Sequence, residues 1–183
     1  MNSTYDVNNK EDKDMANLYM VMLGGRHTRA NVEVHDVMIT AGDSLESTYP
    51  QLKTAWFGDQ KGLHIDAWSQ INSVEGAEVS YQIELKDHKP EAKQDKLYLI
   101  NLGGYDKSEF GELHRYILVA APTQAKAKQI GKNYILKSWM KPHTDRVVDV
   151  DDCILIENVN EQYVHLNGGK YTTNEWENCY ILI

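Results

Sequence analysis

Eight side chains of this sequence have the types and spacing for acid–base or metal chemistry. Glu33 and His35 form a Glu-x-His pair, His64 and Asp66 a His-x-Asp pair, and Glu112/His114 with His143/Asp145 supply both patterns again. Residues i and i+2 of a β-strand point to one face, so each pair would present an imidazole beside a carboxylate. Two such pairs meeting would turn two imidazoles and two carboxylates toward one point. That donor set suits zinc or another divalent transition metal. Without a metal, a carboxylate could orient one imidazole as a general base. The plainer reading is a structural network in which neighbouring carboxylates pin the histidines, because buried polar groups nearly always find partners. Spacing alone does not choose, for there is no HExxH, no CxxC and no serine in a nucleophile elbow. Catalytic residues, metal and any other cofactor stay unassigned, and whether the chain is an enzyme is left open.

Weaker candidates surround these. Gly24, Gly25 and Arg26 could offer backbone N–H groups and a guanidinium to an anion. A plain tight turn explains the glycines better, and Tyr105 stands where a matched arginine would be. Asp149, Asp151 and Asp152 resemble an acidic rim, but without the glycine of a calcium loop they read as a solvated turn. Cys153 opens an apolar run and reads as a buried, inert thiol.

The positions of the eight residues follow from an internal repeat. A shift of 79 residues aligns 18–74 with 97–153 without a gap, and eleven positions are identical. Ordinary composition would give about three or four. The identities include Leu23-Gly24-Gly25 with Leu102-Gly103-Gly104, Glu33 with Glu112, His35 with His114, His64 with His143, and Asp66 with Asp145. Each copy reads as a strand (18–23 or 97–102) ended by a Gly-Gly turn, then a second strand (33–41 or 112–120). A helix and further extended segments follow. Thr123 can cap the helix of the second copy, whereas Pro50 places the helix start of the first near Thr48. Tyr163–Leu166, an Asn167-Gly168 turn and Lys170–Thr172 predict a C-terminal hairpin, and 179–183 a closing strand.

The expected fold is therefore α+β. It comprises two tandem ββαβ(β) repeats, like a ubiquitin roll or β-grasp, with mixed sheets and one helix each, plus the C-terminal hairpin. The expected organisation is a disordered tail at 1–16, a first repeat at 17–85, a linker at 86–96, and a second repeat with the hairpin extension at 97–183.

At MLGGR (22–26), ExHD (33–36), PQLK (50–53), LHIDAW (63–68) and INLGGY (100–105), the sequence resembles a bacterial family of small cytosolic proteins, the DUF1543-like domain of unknown function. The resemblance covers roughly residues 18–158. It implies a tandem α+β fold and carries no activity, substrate or catalytic residue.

Composition narrows the partners. A formal net charge of −8 without a free basic cluster argues against nucleic acid and against an anionic membrane surface. No long apolar run supports a membrane span or a secretory leader, so a cytoplasmic location is the expectation. Two cysteines are too few for a disulfide framework. Self-association and a small-molecule or protein partner stay open, and a non-enzymatic binding or interaction module leads over a hydrolase-like enzyme built on the Glu/His/His/Asp sets.

Overall fold

A computed structural model describes residues 16–106, 108–138 and 148–183. Most of the expected N-terminal tail, together with Trp139, His143 and Asp145, lies outside them. The chain is α+β, and every strand pairing among the described residues is antiparallel. The mixed sheets of a β-grasp are not observed among them.

Two sheets are built alike around a central strand. In the first, β1 (Asn17–Gly25) pairs with β2 (Val34–Gly42) on one side and β3 (His64–Gln70) on the other. Alternation sends Tyr19, Val21 and Leu23 to one face, where they pack with Leu52, Trp56 and Leu63. Leu52 belongs to α1 (Tyr49–Ala55), which follows a 3₁₀ turn at Glu46–Thr48, with Pro50 in its first turn. The short strand β4 (Ser73–Glu75) and the longer β5 (Ser80–Lys86) follow. In the second sheet, β6 (Lys96–Tyr105) lies between β7 (Glu112–Ala121) and β8 (Val148–Ile156). Tyr98, Ile100 and Leu102 turn to α2 (Gln124–Ser138), packing with Ala127 and Ile130. The Thr123 hydroxyl accepts from Lys126 N–H at 3.2 Å, as an N-cap does.

The opposite faces of the two sheets share one core. Leu18 and Met20 of β1 and Val37 and Ile39 of β2 pack with Leu97 and Leu99 of β6 and Leu118 of β7. Helices thus lie on the outer faces and the sheets face each other.

One expectation gives way at the C-terminal end. No hairpin turns at Asn167-Gly168: β9 (Asn158–Val159) and β10 (Gln162–Gly168) pair across Asn160-Glu161, whose φ angles are +52° and +65°. β10 runs through the Asn-Gly pair because β5 offers a full-length edge, and Asn167 spends its amide on Glu84 Oε2 at 2.8 Å. The final strand β11 (Trp176–Leu182) crosses back and pairs with β3, extending the first sheet to the order β11-β3-β1-β2. No helix among the described residues is long and apolar enough to cross a membrane.

Candidate metal centre

Gly24 is the floor of the site. It lies inside β1, paired with His35 on β2 and His64 on β3. Directly paired residues of an antiparallel sheet share a face, so two imidazoles flank a position with no side chain. A Cβ there would overlap Asp66 Oδ2 and sit 2.5 Å from His64 Nε2. The glycine therefore supplies space for its neighbours' side chains. It does not form the expected turn, because neither Gly24 nor Gly25 has a positive φ. Both run in β1, Gly24 paired on two sides and Gly25 on one, in extended strand and not in a concave turn of free amides. Arg26 is exposed, and its carbonyl accepts from Asp59 N–H at 2.7 Å.

The remaining two groups reach the same point from just before β2 and from a bulge in β3. Glu33 lies two residues before His35. Asp66 is the extra residue of a β-bulge: Leu23 pairs with Ile65 and Met22 with Ala67, leaving Asp66 unmatched. A bulge re-aims a side chain, here over Gly24.

Glu33, His35 and Asp66 each place one donor atom within 4.8 Å of the others, as ligands of one ion would, and His64 stands beside two of them. His35 Nε2 lies 3.5 Å from Glu33 Oε1 and 3.2 Å from Asp66 Oδ2. His64 Nε2 lies 3.6 Å from Glu33 Oε1 and 3.3 Å from Asp66 Oδ1. Bonds of roughly 2.0–2.2 Å to a tetrahedral ion put neighbouring donor atoms about 3.3–3.5 Å apart. Close as they are, His64 Nε2 and Asp66 Oδ2 are buried without a hydrogen-bond partner.

His64 is oriented from behind. Gly62, at φ +81°, turns the chain so that its carbonyl meets His64 Nδ1 at 2.8 Å. A carbonyl only accepts, so Nδ1 carries a proton, and Nε2 is the ring atom that faces the carboxylates. That N–H to carbonyl bond is the usual outer support of a metal-bound histidine. The ring is 1% exposed and Tyr180 of β11 covers it, with ring centroids 4.3 Å apart. His64 thus closes the cluster from behind, while Glu33 and His35, each more than 40% exposed, leave it open to solvent in front.

The second sheet repeats part of this plan. Gly103 pairs with His114 on β7 and Asp149 on β8, and a Cβ there would overlap Asp151 Oδ2 and lie 2.6 Å from Glu112 Oε1. Asp151 is the unmatched residue of a bulge between Val150 and Asp152. His114 Nε2 stands 3.8 Å from Glu112 Oε2 and 3.5 Å from Asp151 Oδ2. Asp149, Asp151 and Asp152 thus belong to a paired strand and not to a solvated turn. The gapless shift missed Asp151, whose only signal was its place one strand-repeat after Asp149.

Burial pushes the Cys153 and Cys179 thiols above the usual cysteine range, and Cys179, raised also by Glu177 and Asp66, lies with its Sγ 3.6 Å from the Ile65 carbonyl of β3. A cavity of about 600 Å³ between the sheets is lined by Met20, Met22, Tyr116, Trp176 and His114, among others, but by none of Glu33, His35, His64 and Asp66. Tyr116 on its wall is raised by burial, then by Asp36, Asp152 and Asp151.

Residues 30–85, which hold all four groups of the first cluster, match the model of a family described as Domain of Unknown Function (DUF1543). Among solved structures the chain is similar to protein Il1583 from Idiomarina loihiensis, at 28% identity and a TM-score of 0.68 over 91% of this chain and 97% of that one. No curated protein matches the chain.

Proposed function

We propose that this chain, with its DUF1543 segment at residues 30–85, is a binding module for one divalent transition-metal ion held by Glu33, His35, His64 and Asp66. The observation that carries the proposal is His64: a fully buried ring whose unpartnered Nε2 faces two carboxylates at ligand spacing. Two imidazoles with two carboxylates favour zinc, cobalt or nickel over calcium or magnesium, which prefer oxygen alone. Four protein donors complete a tetrahedron, the pattern of a holding site more than of a hydrolytic one with an open position. We read the two halves as copies of one ancestral unit, on the strength of their matched central strands, glycines and bulges.

Cobalt(II) added to untagged, chelator-treated protein should give the visible absorption of a tetrahedral site at one equivalent. His35→Ala and His64→Ala should each abolish it while the far-UV spectrum is kept. Wild-type protein that takes up neither cobalt nor zinc at micromolar concentration would sink the proposal and favour the purely structural network.

A further inference from the structure

Resting on that reading, we infer that tight ion binding is confined to the first half, and that one position decides it: the residue beside the central glycine on the third strand, His64 in one sheet and Asp149 in the other. Both residues pair with the glycine that floors their cluster, Gly24 and Gly103. His64 brings a buried nitrogen donor to its cluster. Asp149 turns away, with Oδ1 2.9 Å from Lys132 Nζ and accepting Val150 N–H at 2.7 Å. Among the described residues the second cluster holds Glu112, His114 and Asp151, the same three types as Glu33, His35 and Asp66, with Asp149 at the position where the first has His64.

Solvation separates the halves further. β3 is flanked by β11, which carries Tyr180 over His64. β8 is the last strand of its sheet, with no strand beyond it among the described residues. Glu112, His114 and Asp151 are exposed much as Glu33, His35 and Asp66 are, and their spacings, 3.5 and 3.8 Å, are slightly looser than the 3.2 and 3.5 Å of the first cluster. The halves differ at the third-strand position: His64 is 1% exposed, with an Nε2 that has no hydrogen-bond partner, whereas Asp149 is 65% exposed.

Zinc(II) titrated calorimetrically into the full chain should show one tight equivalent, any further binding being at least about 100-fold weaker, beyond the 10–100-fold that losing an outer-shell partner alone costs. Asp149→His combined with Lys132→Ala alters two exposed side chains and should create a second tight equivalent. His64→Asp should lower the affinity of the first site by at least about 100-fold. Wild-type protein that binds no zinc overturns the metal reading itself. Two equal equivalents in the wild type, no second equivalent in the Asp149 variant, or tight binding retained in His64→Asp overturns only this inference. Should His64→Asp fail to fold by far-UV circular dichroism, the Asp149 variant decides alone.

Discussion

One methyl group measures how tightly the first cluster is drawn. At position 24 it would occupy the volume into which Asp66 and His64 lean. Gly24→Ala should displace both donors and weaken zinc binding by about 100-fold or more. Overpacking of this kind also costs about 1–3 kcal/mol, so thermal unfolding without metal should fall by several degrees. Unchanged affinity would show that the side chains do not depend on that space. Gly24, Glu33 and His35 were legible because they recur 79 residues on as Gly103, Glu112 and His114, whereas His64 and Asp66 were legible as a His-x-Asp pair. What the glycine does was not, since a Gly-Gly pair reads as a turn unless the neighbouring strands are known. Asp151 was hidden for a similar reason. It stands 85 positions after Asp66, not 79, because α2 runs for 15 residues against 7 in α1. A gapless alignment carried past that longer helix points to His143 and Asp145, which lie outside the described residues.

At the scale of the elements, β5 and β10 tie the two halves into one sheet, and Glu84 is the charged knot between them. Lys86 Nζ at 2.7 Å and the Asn167 amide at 2.8 Å both meet its Oε2 and hold its carboxyl below the ordinary value of 4.5. A depressed carboxylate contributes stability that is present above its unfolded value and lost as pH falls through the folded one. The melting temperature of wild-type protein should therefore drop on the acid side of pH 4.5, and Glu84→Gln should flatten that drop. Equal slopes in both proteins would show that the knot carries no proton-linked stability. The group is about one-third exposed, so solvent screens the effect and it should stay modest. The strands and helix starts of each half followed from alternation, Pro50 and Thr123. The partner of β10 did not, because Asn167-Gly168 has turn chemistry locally and only the open edge of β5 overrides it. The real reversal, Asn160-Glu161, lacks the glycine that would have marked it.

For the whole molecule, the central core draws on both halves at once. Leu18, Ala41 and Ile71 meet Leu97, Leu99 and Ala120, and Val164 and Leu166 join them from β10. Leu99→Ala, at a site 4% exposed, should cost about 2–5 kcal/mol. That loss should appear in a single transition, with fluorescence of Trp56 and Trp68 in the first half falling together with far-UV ellipticity. Separate midpoints would mean that each half folds by itself.

β11 has a consequence for how the protein is made. Ser69 of β3 holds the Glu175 carbonyl at 2.7 Å across 106 residues of chain. At ribosomal speeds of about 5–20 residues per second, that interval lasts roughly 5–20 s. Through it the nascent polypeptide displays a bare β3 border and an uncovered His64, an invitation to aggregation or to a chaperone. Tyr180 takes its place over the imidazole only near the end of synthesis.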